Sequence, residues 1–256
     1  MSGERTLVAA EDDAVLCEFD AGLCTVTLNR PTRGNAFSAS LVEGLDAALD
    51  RAEADGTRAL VLRGNGKHFC TGFDLGGLEE ETDDTLLARF VRIELLLQRI
   101  ARAPFVTAAI AQGRAMGAGA DLFAACALRV IEGDATFAFP GARGFGLVLG
   151  TRRLAQCVGR DTALDWVESG RSIATDEALR AGLVLQRLDA VGDVRPMIEA
   201  RQHDDAWLRR ALRQAADPGA DAEDARDLSW LVRSAARKGL RARIEQHVNR
   251  VKATRT

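Results

Sequence analysis

Two glycine-rich turns carry the residues best placed to do chemistry. One reads LVLRGNGKHFCTGFDL and centres on Cys70, Thr71, Gly72, Phe73 and Asp74. The other reads VTAAIAQGRAMGAGADL and closes on Ala118, Gly119, Ala120 and Asp121. Each runs from a buried strand-like stretch, through glycines, to an acidic residue and an apolar helix start. The first residues of a helix have N–H groups without intrahelical acceptors, at the positive end of the helix dipole. Two such turns on neighbouring strands can aim two N–H groups at one oxygen atom. That pair of donors matters most where negative charge develops on the oxygen during a reaction. Steric relief alone also explains glycine at a strand-to-helix turn, so spacing leaves both readings open. GAGADL begins like a G-x-G-x-x-G dinucleotide loop, but Leu122 stands at the third glycine and the fingerprint fails.

Among single side chains, Asp121 is a candidate acid or base, or else a capping acid at a helix start. Asp74 reads mainly as an N-cap or a clamp within its loop. A nucleophilic role for Cys70 requires an activating base, and a small buried thiol is the plainer reading. No cysteine and histidine spacing matches a metal site.

The elements that position these residues follow from the pattern. AVLCEFD-AG-LCTVTLN reads as a hairpin turning at Asp20, Ala21 and Gly22. SASLVEGLDAALDRAEAD reads as a helix with Ser38 as N-cap and one apolar face. RALVLRG and FVTAAI are short buried strands, and a helix between them stops before Pro104. The acidic run from Glu79 to Asp84 reads as a solvated loop, and LRVIEG and ATFAF as two further short strands. Helices follow Pro140, LVLQRLD is a candidate last strand, and the chain from Val194 is helical and charged. Trp166, Trp207 and Trp230 fall on helices and read as packing residues. Strands alternating with helices point to an α/β domain with crossover connections.

The 256 residues suit one large α/β domain with an appendage, and 47% of them are apolar. A net charge of -3 argues against nucleic acid or an anionic membrane as the main partner. No apolar run approaches the roughly 20 residues that span a bilayer. Five cysteines without a leader-like N-terminus lead us to expect a reducing, cytoplasmic setting.

Four motifs in order resemble the crotonase superfamily, the enoyl-CoA hydratase/isomerase family. They are VTLNRPTRGNAFS, FCTGFDL, AAIAQGRAMGAGADLFAACALRV and GRSIATDEALRAGLV. The resemblance implies a spiral of ββα turns over residues 1–193. It also implies a helical trimerisation region over 194–256 and assembly into trimers or hexamers. It further implies acyl-CoA substrates, with coenzyme A arriving as part of the substrate and no tightly bound cofactor. Carried over position by position, the backbone N–H groups of Phe73 and Ala118 polarise the thioester carbonyl. Thr71, Gly72 and Asp74 of the same loop are candidates to contact the CoA portion of the substrate. Arg30 and Arg33 are candidates for the CoA phosphates, as is the basic C-terminal run. Asp121 falls where hydratases carry their first catalytic glutamate.

The sequence departs from the family where a second glutamate is common: it reads Pro140-Gly141. Two-carboxylate hydration is therefore in doubt. Hydrolase or decarboxylase chemistry, or a non-catalytic CoA-binding subunit, stand as alternatives. Relatives with glycine here, the naphthoyl-CoA synthases, resemble this chain, and Arg143 is a candidate to hold the anion they recruit.

Overall fold

The computed structural model describes residues 6–7, 13–188, 193–201, 206–217 and 219–253. Among them, seven strands form one sheet in chain order. They are β1 (Thr6–Leu7), β2 (Val15–Asp20), β3 (Leu23–Leu28), β4 (Ala59–Gly64), β5 (Val106–Met116), β6 (Leu128–Ala138) and β7 (Gln186–Leu188). Pairing is antiparallel from β1 to β3 and parallel from β3 to β7. The β2–β3 turn places Ala21 and Gly22 at φ 48° and 83°, the doubly left-handed turn that matches strand twist.

Parallel neighbours need crossover connections, and helices supply them. α1 (Ala39–Ala54) joins β3 to β4, α2 (Asp83–Arg102) joins β4 to β5, and α3 (Ala118–Ala125) joins β5 to β6. Four short helices precede β7: α4 (Gly141–Phe145), α5 (Thr151–Val158), α6 (Arg160–Ser169) and α7 (Thr175–Arg180). The C-terminal part holds α8 (Arg195–Glu199), α9 (Ala206–Ala216), α10 (Ala220–Ala235) and α11 (Leu240–Ala253).

α1 starts as its sequence predicts: the Leu41 N–H donates to Ser38 Oγ at 3.1 Å. It buries Leu41, Val42, Leu45, Ala48, Leu49 and Ala52. α2 buries Leu86, Phe90, Ile93, Leu96, Leu97 and Ile100 on one stripe. Each large side chain so buried contributes roughly 1.5–3 kcal/mol. Leu231, Ala235, Leu240 and Ile244 of α10 and α11 join this same core.

A second, shorter layer builds the site. β5 and β6 continue beyond an irregularity at Ala111/Gly113 and stay paired as far as Met116 and Ala138. Isolated bridges extend this layer: Cys70 pairs with Ala115, Phe37 with Phe73, and Phe137 with Ile173. Each spiral turn thus gives one strand to the main sheet and a short one to the site layer.

Four expectations need correction. LRVIEG and ATFAF are one strand, because β6 passes through Gly133 at φ 66° without leaving the sheet. FVTAAI extends to Met116 for the same reason: its distal half pairs in the second layer. The acidic run is not a plain solvated loop. Thr82 caps α2, and the Asp83 carboxylate accepts from the Gly239 and Arg241 amides at 2.9 and 2.8 Å. Of the three tryptophans, Trp166 packs in the core, but Trp207 and Trp230 are exposed.

Candidate active site

The two glycine turns lie side by side in parallel register. Cys70 bridges Ala115: its N–H donates to Arg114 O at 3.1 Å, and Met116 N–H donates to Cys70 O at 2.9 Å. Continued along both chains, this register sets Gly72 beside Gly117 and Phe73 beside Ala118. The glycines do meet: a Cβ at residue 117 would lie 4.0 Å from the Gly72 Cα.

Two further bonds orient the Phe73 amide. Phe37 N–H donates to Gly72 O at 2.8 Å, and Asp74 N–H donates to Phe37 O at 3.1 Å. In a parallel bridge the flanking residues make those bonds, so the N–H of Phe73 points to the other edge, toward Gly117. The Ala118 amide opens α3 and has no intrahelical acceptor. Among the described residues neither amide has a hydrogen-bond acceptor.

Glycine is required in the first turn. Gly72 has φ 100°, and a Cβ there would lie 2.8 Å from the Met116 carbonyl oxygen. The Phe73 ring is held from two sides. It stacks on Phe90 at 4.4 Å, and the Arg89 guanidinium lies 4.2 Å from its centroid. Arg89 also donates to the Asp74 carbonyl at 3.2 Å, which ties α2 to the turn.

Asp121 sits in the first turn of α3, 5% exposed. Its carboxyl packs so closely on Gly150, the residue before α5, that a Cβ there would lie 2.1 Å from Oδ1. Burial pushes this carboxyl well above the usual range, Arg153 opposes the shift, and Glu94 adds to it. Glu94 and Arg153 form a buried fork at 2.8 and 2.6 Å. Burial pushes the Cys70 thiol up to about 12, which removes it as a nucleophile at neutral pH.

The comparisons with known proteins fit this geometry. The family profile described as Enoyl-CoA hydratase/isomerase matches residues 18–216. The chain belongs to the enoyl-CoA hydratase/isomerase family. It is 34% identical over 179 residues to a protein named Probable enoyl-CoA hydratase from Bacillus subtilis, covering 67% of this chain and 68% of that one. A Rhodobacter capsulatus protein of the same name is 35% identical over 208 residues, covering 79% and 76%. A crystal structure of an enoyl-CoA hydratase/isomerase from Xanthobacter autotrophicus superposes with a TM-score of 0.77 at 27% identity, covering 93% of this chain and 98% of that one.

Within the enoyl-CoA hydratase/isomerase fold, the remaining predicted residues take varied places. Arg30 is committed locally: it pairs with Asp74 at 2.8 Å and donates to Ala36 O at 2.6 Å. Asp74 is a loop clamp that also accepts from Gly76 N–H at 3.0 Å. Burial opposes its charge, but Gly76 and Arg30 outweigh burial and hold its carboxyl below the ordinary range. Arg33 is exposed and reaches toward Gly76. The Thr71 side chain packs on Gly34. At Gly141 a Cβ would meet only Leu147 O at 3.9 Å, so the position is open. Arg143 is exposed and its side chain lies against Gly170.

Sequence reasoning passed over Arg89, Glu94 and Arg153. Glu94 left a signal: it shares the apolar stripe of α2 with Phe90 and Leu97. A lone carboxylate on such a stripe calls for a buried partner. Asn35 is a fourth residue missed. It is buried at φ 55°, donates to Asn65 O and His68 O, and accepts from the Arg30 amide. It locks the loop after β3 to the loop carrying Phe73.

Proposed function

We propose that the chain binds an enoyl-CoA thioester with its carbonyl oxygen between the Phe73 and Ala118 amides, and moves the double bond using Asp121 as acid and base. The observation that carries this reading is the in-register pairing of two glycine turns beside one buried carboxyl. Removing a proton next to a thioester puts negative charge on the carbonyl oxygen, where two fixed N–H donors act most strongly.

A single carboxyl is sufficient for isomerisation. Ionised Asp121 takes a proton from one carbon, the electrons pass into the conjugated enolate, and the same proton returns to another carbon. Hydration needs one group to activate water and one to protonate carbon, and residue 141 is glycine. The Bacillus subtilis and Rhodobacter capsulatus relatives carry the name hydratase, so both reactions belong in one test. Purified protein is given a 3-enoyl-CoA and crotonyl-CoA; isomerisation is read by the rise in conjugated enoyl-thioester absorbance and hydration by the added mass of water. Isomerisation that is lost in Asp121→Asn supports the proposal. Hydration without isomerisation contradicts the single-carboxyl step.

The coenzyme A portion arrives with the substrate, and no separate bound cofactor is invoked. Arg33 is the better phosphate candidate, because Arg30 is already paired with Asp74. Homo-oligomerisation into trimers or hexamers is part of the same proposal. Leu212 of α9 and Trp230 of α10 are 50% and 49% exposed, which supports an apolar contact surface there. Among the described residues no helix is long and apolar enough to cross a membrane.

A further inference from the structure

The buried pair beneath Asp121 has one donor to spare. The Glu94 carboxylate takes the two terminal nitrogens of Arg153, at 2.8 and 2.6 Å. The two side chains are 1% and 3% exposed. The third donor on that guanidinium, Nε–H, is buried and has no hydrogen-bond partner among the described residues. Leaving a buried donor unsatisfied costs free energy that a structural pair alone would not need to bear.

Asp121 lies on a neighbouring helix, although among the described residues no ion pair joins it to Arg153, whose partners are Glu94 and Asp227. Its helix, α3, packs against both α2 and α5, which carry Glu94 and Arg153. Its carboxyl touches Gly150, one turn before Arg153. No hydrogen bond to that carboxyl occurs among the described residues. The charged groups acting on it are Arg153 from α5 and Glu94 from α2. Behind them, Asp227 of α10 lies 3.7 Å from Arg153 and is itself held by Arg152 at 2.8 Å.

We propose that Arg153 is a positioning residue for Asp121: Glu94 fixes its guanidinium so that the spare Nε–H serves the ionised form of the Asp121 carboxylate. This rests on the reading of Asp121 as the acid and base. While Asp121 holds its proton, the Glu94–Arg153 pair is neutral by itself and Nε–H waits. When Asp121 is ionised, Nε–H donates to it and Glu94 repels it. The two neighbours therefore oppose each other in setting the pH at which the site becomes basic.

The test is an infrared titration of the protonated carboxyl band of Asp121, recognised by its absence in Asp121→Asn. Glu94→Gln removes the repelling charge and leaves Arg153 to Asp121, so the midpoint falls by about one pH unit. Arg153→Lys keeps a positive charge but loses Nε–H, and the midpoint rises. A midpoint in Glu94→Gln equal to that of the unaltered protein overturns the proposal, whatever happens to thermal stability. If Arg153→Lys does not fold, Glu94→Gln decides alone. Turnover of Asp121→Asn is measured separately. Full activity there defeats the catalytic reading, whereas an unmoved midpoint with inactive Asp121→Asn defeats only the role of Arg153.

Discussion

At the scale of single residues, the proposed site can be tested at two glycines and one acid. Gly72→Ala would drive a Cβ into the Met116 carbonyl at a backbone angle that L-residues avoid. We expect kcat to fall about 100-fold or more, the effect of losing an oxyanion donor. Steady-state kinetics on a 3-enoyl-CoA would show it, and an unchanged kcat would remove Phe73 from the account. Gly141→Glu makes the opposite change. The position is open, so a second carboxyl fits, and hydration of crotonyl-CoA should rise at least 10-fold over the starting protein. The pH dependence also has a sign. Burial holds the Asp121 carboxyl well above its usual range, and in the proposed step its ionised form is the base. Isomerisation should therefore increase as pH rises through that value, and a rate that falls over the same range contradicts the assignment. The two glycine turns were legible in the sequence, but the choice of Phe73, Ala118 and Asp121 within them came from the family resemblance, because spacing alone leaves steric relief as an equal reading. Arg89 and Arg153 were not legible, because each gains its meaning from a distant element: the Phe73 turn for Arg89 and Glu94 of α2 for Arg153.

At the scale of elements, local rules predicted helix starts well and strand lengths poorly. Ser38 caps α1 as its type and spacing require, and Ser38→Ala should cost about 1 kcal/mol in denaturant unfolding. β6 misled because its two apolar runs flank Glu132, Gly133 and Asp134. Those residues look like a turn but lie in a strand that stays paired with β5 on both sides of them. The acidic run misled because the role of Asp83 lies 156 residues downstream, at the amide of Gly239. Hydrogen bonds from the Arg241 and Gly239 amides hold the Asp83 carboxyl below its ordinary range. A depressed carboxyl stabilises the fold fully above the unfolded value of about 3.9. That contribution is lost as pH falls through the folded value. The gap in Tm between the unaltered protein and Asp83→Asn should therefore narrow between pH 6 and pH 3, about the range of that titration. A gap that widens on acidification would contradict the capping role.

At the scale of the whole molecule, a sequential spiral explains why distant motifs meet. Each turn adds a neighbour to the sheet, so the loops after β4 and β5 emerge side by side, 45 residues apart by the Cys70–Ala115 bridge. The order of the four motifs made that architecture readable. The C-terminal helices were legible as helices, but their packing into the core through Leu231 and Ile244 depends on contacts that no local pattern encodes. The most direct test of the central claim is a crystal structure with an unreactive acyl-CoA thioester. The account predicts one carbonyl oxygen about 2.9 Å from both the Phe73 and Ala118 nitrogens, with the acyl chain over Asp121. A thioester oxygen bound elsewhere, or touching neither nitrogen, would contradict it.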